Sequence, residues 1–183
     1  MPTAIALVRG INVGGKHALP MPALRALCEG LGWQDVATLI QSGNIVFRAP
    51  QRALAPAAAN LESAIDKSHG FRPGVVVRSL AELRAALAAS PFASIRALNP
   101  SHLLVMFLAA EPDAAARRAL AALTPDPERL ALVGREIHLA YPNGIGASKF
   151  PFTLVEKTVK VPGTCRNWNT LTKLLAMAEA LEA

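Results

Sequence analysis

Cysteine, aromatic residues, long apolar runs and charge are all scarce in this chain, and each shortage excludes something. Two cysteines in 183 residues, Cys28 and Cys165, make no disulfide framework and point to a reducing, cytoplasmic compartment. Aromatics are only 5% of the residues, so the stacking platform of an RNA-recognition sheet is missing. The first strand-like run is Ala4-Ile-Ala-Leu-Val8, and the third offers only Phe47. The longest strongly apolar run, Leu103 to Ala110, is far short of a bilayer span, and no membrane partner is expected. Met1-Pro2-Thr3 places no basic segment before the first apolar run, which argues against a secretory leader. His17, His69, His102 and His138 fall in different elements with no ligand spacing among themselves or with the cysteines. No metal and no other cofactor is therefore expected. A Ser-His-Asp or Cys-His signature is also lacking, so no catalytic residue is assigned.

What is present is a well-folded composition, with 52% hydrophobic and 17% charged residues. Much of the apolar content is alanine, so Leu, Ile, Val and Phe must fill the core. Net charge is +6, unevenly spread. Residues 49–148 are nearly balanced, whereas residues 149–173 carry Lys149, Lys157, Lys160, Arg166 and Lys173 against Glu156 alone, an excess of +4. That cluster favours an anionic partner.

Apolar spacing and punctuation divide the chain into two similar halves. A strand over Thr3–Arg9 leads through a glycine-rich loop to a helix marked by Met21, Leu24, Leu27 and Leu31, with Gly30 and Gly32 at its end. Strands follow at Trp33–Ile40 and Ile45–Arg48, joined by a hairpin-type turn, Gln41-Ser-Gly-Asn44. Leu54, Ala58, Leu61 and Ile65 mark a second helix ending near Gly70, and Val75–Val77 is a fourth strand. This βαββαβ order is the ferredoxin-like unit. Ser79 and Glu82 form a capping box for a connecting helix, and Pro91 and Pro100 bracket a linker. The pattern restarts at His102–Leu108, with a helix over Pro112–Leu123, a hairpin around Gly134-Arg135, a short helix near Ser148–Thr158 and a closing helix from Trp168. The expected fold is α+β, with antiparallel sheets in two ferredoxin-like subdomains. The first covers residues 1–78, a connecting helix and linker covers 79–100, and the second covers 101–183. In the second, helix replaces the last strand, and no residue-level period links the halves.

Chemistry-bearing residues concentrate at two places. Arg9-Gly-Ile-Asn-Val-Gly-Gly-Lys16 combines cations with glycines that let successive N–H groups converge, a setting for an anion. It is no nucleotide-hydrolysing P-loop, because His17 stands where a metal-binding hydroxyl belongs. In Gln41-Ser-Gly-Asn44, Ser42 and Asn44 could line the same cleft, although the βαββαβ order alone does not place that turn beside the end of the first strand. Near the other end, Arg166-Asn-Trp-Asn169 precedes the last helix, with Asn167 or Asn169 as its cap. Trp168 is read as packing, and Arg166 as a surface cation for binding whose removal costs little stability.

Three segments carry a resemblance. Arg9-Gly-Ile-Asn-Val-Gly-Gly-Lys16, followed by Ile40-Gln-Ser-Gly-Asn-Ile-Val-Phe47, resembles the 1697 family of domains of unknown function, as does Val161-Pro-Gly-Thr-Cys-Arg-Asn-Trp-Asn-Thr170 after Glu156-Lys157. The resemblance implies a small bacterial α+β protein of two ferredoxin-like halves and a site region, without a reaction. Cys165 stands where the family usually has Thr, which argues against an obligatory thiol nucleophile.

The leading functional expectation is a binding module for a small phosphate- or carboxylate-bearing ligand, held between the N-terminal loop and the start of the last helix. Gly14 and Gly15 would donate backbone N–H groups, Arg9, Lys16, Lys157 and Arg166 would supply charge, and Asn12, Ser42, Asn44, Asn167 and Asn169 would orient the ligand. One alternative is an enzyme on an anionic metabolite or nucleotide, with Glu156 or Lys157 as acid/base. Another is salt-dependent, sequence-tolerant nucleic-acid binding through Lys149–Lys173. Nothing in the sequence specifies an oligomer.

Overall fold

The structure is a computed structural model in which residues 1–182 are described. The chain divides into two compact units. Unit 1 is Met1–Arg84 together with the segment from Lys173 onward, and unit 2 is Ala85–Thr172.

Unit 1 runs β1 (Thr3–Val8), α1 (Met21–Gly30), β2 (Gln34–Leu39), β3 (Asn44–Arg48), α2 (Gln51–Leu54), α3 (Ala57–His69) and β4 (Val75–Ser79). The sheet order is β2-β3-β1-β4 and every pairing is antiparallel, as a ferredoxin-like unit requires. Successive strand side chains alternate between faces, and Ala4, Ala6, Val8, Ile45 and Phe47 share one of them. They pack with Leu24, Cys28, Leu61 and Ile65 of α1 and α3 into one buried cluster. Trp33 stacks on Phe47 at 3.8 Å within it. The helix expected around Leu54–Ile65 is two helices. Pro56 separates α2 from α3, because proline has no N–H to continue the helical ladder.

Unit 2 contains β5 (Leu103–Leu108), α5 (Ala114–Ala121), β6 (Arg129–Val133), β7 (Glu136–Ala140), α6 (Phe152–Val159) and β8 (Gly163–Asn167). Its order, β6-β7-β5-β8, repeats that of unit 1, again fully antiparallel. The expectation that helix replaces the last strand is therefore corrected: β8 pairs with β5 before the extra helix begins. β8 is a polar edge strand bonded on one side, so it lacks the continuous apolar run that marks the inner strands. Met106, Leu108, Ile137 and Leu139 bury one face with Leu120, Val155 and Val159 of α5 and α6.

Two helices span the division between units, α4 (Leu80–Ala88) and α7 (Trp168–Ala180). The expected capping box starts α4, with Ser79 N–H donating to Glu82 Oε2 at 2.8 Å and Glu82 N–H to Ser79 Oγ at 3.2 Å. No helix among the described residues is long and apolar enough to cross a membrane.

Candidate functional site

The glycine-rich loop leaves β1 as a small hairpin of its own. Asn12 N–H donates to His17 O and Lys16 N–H to Val13 O, each at 3.1 Å. Gly14 and Gly15, the central residues of that turn, have φ of +59° and +74°. Two successive left-handed residues suit a tight hairpin turn, which is why two glycines stand there. The loop from Arg9 to Ala18 is exposed apart from Ile11. Lys16 makes no ion pair among the described residues.

Asn12 organises this loop. Its Oδ1 accepts from Leu19 N–H at 2.8 Å, and its Nδ2 donates to Leu19 O at 2.9 Å and to Gln41 O at 2.8 Å. The last bond reaches the β2–β3 turn, so the two motifs meet. The reservation that they need not be neighbours is overturned by the register. β1 and β3 are antiparallel partners, with Leu7 opposite Asn44, so the end of one adjoins the beginning of the other. Val8 N–H donates to Gly43 O at 2.8 Å at this junction. Ser42 and Asn44 thus lie beside the strand that leads to Arg9, Gly14, Gly15 and Lys16.

Within the turn, Asn44 is fully buried, and its Nδ2 donates to Leu39 O and Ser42 Oγ. Asn12 and Asn44 therefore act as internal braces. His17 was not expected to contribute. It stacks on Phe71 at 4.6 Å, and its Nδ1 lies 3.2 Å from Gly10 O, closing the base of the loop. A histidine at a left-handed position, φ +52°, becomes intelligible only once Phe71 is seen behind it.

The C-terminal motif is built differently and belongs to unit 2. Arg166 lies on β8 opposite Val105 of β5, and Asn167 ends that strand. Arg166 Nη1 donates to Thr164 Oγ1 and to Cys165 O, both at 2.8 Å. Burial pulls its guanidinium down to about 10, still charged at neutral pH. The sequence reads Arg166 as a surface cation, whereas the structure places its side chain half-buried and hydrogen-bonded. Asn167, of the two asparagines proposed as cap, accepts from Thr170 N–H at 2.9 Å. Asn169 and Lys157 are exposed on α7 and α6. Trp168 packs with Phe92, Leu103 and Ala140.

The groups whose ionisation the fold shifts are displaced chiefly by burial. Cys28 and Cys165 are pushed up to about 12, which removes thiolate character from both. Tyr141 is raised to about 12, and His138 is lowered to about 4. His138 is fully buried on β7, with both ring nitrogens lacking a partner among the described residues. No group of three or more His, Cys, Asp or Glu able to hold a metal occurs among the described residues.

Comparison with known proteins agrees with this architecture. The chain is 28% identical to the conserved bacterial protein SP0830 from Streptococcus pneumoniae, whose solved structure superposes with a TM-score of 0.73. That alignment covers 97% of this chain and 98% of the other. No curated protein matches. The family model described as "Protein of unknown function (DUF1697)" matches residues 1–138, a span that takes in all of the β1 loop and the β2–β3 turn, and the chain belongs to that family.

Proposed function

We propose that the protein binds a small phosphate- or carboxylate-bearing anion at the Gly10–Lys16 loop. The observation that carries this reading is the Asn12 brace, which ties a basic, exposed loop to Leu19 and to the β2–β3 turn. A tethered loop has less freedom to lose when a ligand arrives. Arg9, Lys16 and Arg25 are the charged side chains of the first 28 residues, which contain no acid. In the Val13–Lys16 turn the closing bond uses the Lys16 N–H, so the N–H groups of Gly14 and Gly15 remain for an anion. Ser42 contributes a hydroxyl on the adjoining turn, half-buried. Unit 1 alone supplies every group required.

Binding is favoured over turnover because the displaced titratable groups, Cys28, His138, Tyr141 and Cys165, owe their shifts to burial and lie away from this loop in sequence. Two free cysteines suit a reducing compartment, so cytoplasmic anions are the ligands to test. Calorimetric titration with inorganic phosphate and with citrate at low salt is the direct measurement. Saturable binding of one of them, weakened at least about fivefold by Lys16→Ala at an unchanged melting temperature, is expected for a charge-assisted contact. Absence of binding by both anions, or a Lys16→Ala protein that binds as wild type, overturns the reading.

A further inference from the structure

Unit 2 contains a cavity of about 160 Å³ lined by Ile95, Ala97, Leu98, Arg129, Ala140 and Pro142. Its floor is a row of the sheet, since Arg129 of β6 pairs with Ala140 of β7, which pairs with Leu103 of β5. Directly opposed residues of antiparallel strands project from the same face, so the Arg129 side chain shares the floor with Ala140. The roof is the segment 92–98, folded into two consecutive turns by Ile95 N–H to Phe92 O and Leu98 N–H to Ile95 O. Phe92 of the roof and Leu103 and Ala140 of the floor form one buried cluster, with Trp168 packed against it.

The lining is apolar except for one group. Arg129 is exposed and makes no ion pair among the described residues, and no acid lines the cavity. We infer that this cavity is a binding site for a small carboxylate with a short apolar body, the body on the Ile95–Leu98–Ala140 walls and the carboxylate on the Arg129 guanidinium. A guanidinium fork matches a carboxylate with two parallel N–H···O bonds. A single cation balances a single negative charge, and apolar walls offer no donors for a phosphate or a sugar. The volume admits a body of a few carbons and excludes a nucleotide, for small-molecule pockets generally run from about 300 Å³ upward. The site lies in unit 2 and is independent of the anion loop in unit 1.

Hexanoate is the probe and hexan-1-ol its uncharged counterpart, each titrated into the full chain by calorimetry with ligand-observed NMR. Hexanoate should bind saturably, at least about tenfold tighter than hexan-1-ol, the margin of one charge-assisted contact. Arg129→Gln, a surface change, should remove that margin while leaving the melting temperature in place. Ala140→Leu, which fills the floor, should abolish hexanoate binding, and Lys16→Ala should leave it unchanged. The inference is overturned if hexanoate fails to saturate, or if it binds Arg129→Gln as tightly as wild type. Should Ala140→Leu not fold, the Arg129→Gln comparison decides alone.

Discussion

Arg78 and Arg166 occupy the same position in the two halves of the chain. Arg78 lies on β4 opposite Ile5 of β1, and Arg166 lies on β8 opposite Val105 of β5. Each guanidinium turns back to the carbonyl preceding its own residue, Val77 O at 3.1 Å and Cys165 O at 2.8 Å. The next residue caps a helix in both cases, Ser79 for α4 and Asn167 for α7. An edge strand, an arginine and a cap thus recur together, which supplies the residue-level trace of the internal repeat that a linear reading does not find.

From that equivalence we expect a structural part for Arg166. Arg166→Ala removes the bonds to Thr164 Oγ1 and Cys165 O from a half-buried guanidinium, and a loss of about 2 kcal/mol is expected. Arg118→Ala, on the surface of α5, should stay within about 0.5 kcal/mol of wild type. Urea denaturation of the two variants checks this, and equal stabilities would return Arg166 to the role of a surface cation.

Asn12 offers a second test. Asn12→Gly deletes its three side-chain bonds but tolerates the φ of +56°, and should cost about 1–2 kcal/mol. Asn12→Ala adds left-handed strain of about 1–2 kcal/mol more. The Leu19 amide, held by Asn12 Oδ1, should exchange with solvent faster in both. Protection of that amide equal to wild type would show that the brace does not hold the loop.

Gly43 and Gly14 both have positive φ, at +72° and +59°, yet they should respond differently to alanine. A Cβ on Gly43 would lie 2.7 Å from Val8 Cβ and 2.9 Å from Ile11 Cδ1, whereas one on Gly14 meets nothing within 4 Å. Gly43→Ala should therefore cost about 3 kcal/mol, combining strain with overpacking, and Gly14→Ala about 1 kcal/mol from strain alone. Thermal melts that rank the two the other way would contradict the close approach of the turn to β1.

His138 predicts a pH dependence. Its imidazole titrates near 6.5 in the unfolded chain and near 4 in the fold, where burial opposes the charged form. Between those values the unfolded chain binds the additional proton, so stability is full above about pH 6.5 and declines as pH falls toward 4. The gap amounts to about 3 kcal/mol at the acid end. Denaturation curves at pH 7 and pH 5 should show a smaller stability difference in His138→Leu than in wild type. Equal differences would mean that His138 is not the group responsible.

Much of the fold is written locally, in signals that neighbouring residues interpret. Gly70 ends α3 with a left-handed cap, Ser79 and Glu82 start α4, and the near-continuous apolar runs of β1 and β3 mark inner strands. β8 escapes such reading because a polar edge strand owes its conformation to the partner it bonds. The meeting of the loop and the β2–β3 turn escapes it for a related reason. It follows from antiparallel pairing of two strands about forty residues apart, a tertiary fact that neither motif carries alone. The burial of Arg166 belongs to the same class, since Arg-Asn-Trp-Asn reads as surface until β5 lies beside it.

The division of α7 between units has a consequence for how the molecule assembles. Arg84 on α4 bonds Glu179 on α7, 95 positions further along the chain, at 2.9 Å, and Leu174 and Ala178 of α7 are fully buried. During vectorial synthesis, β1 through β4 are complete long before the segment from Lys173 is made. Unit 1 must then wait, without the segment that completes it, while the whole of unit 2 is translated. Such a long-range closing contact raises contact order and slows the final step of folding. Interrupting the chain within unit 2 would thus release a first unit that is unfinished, a species prone to associate with its own kind.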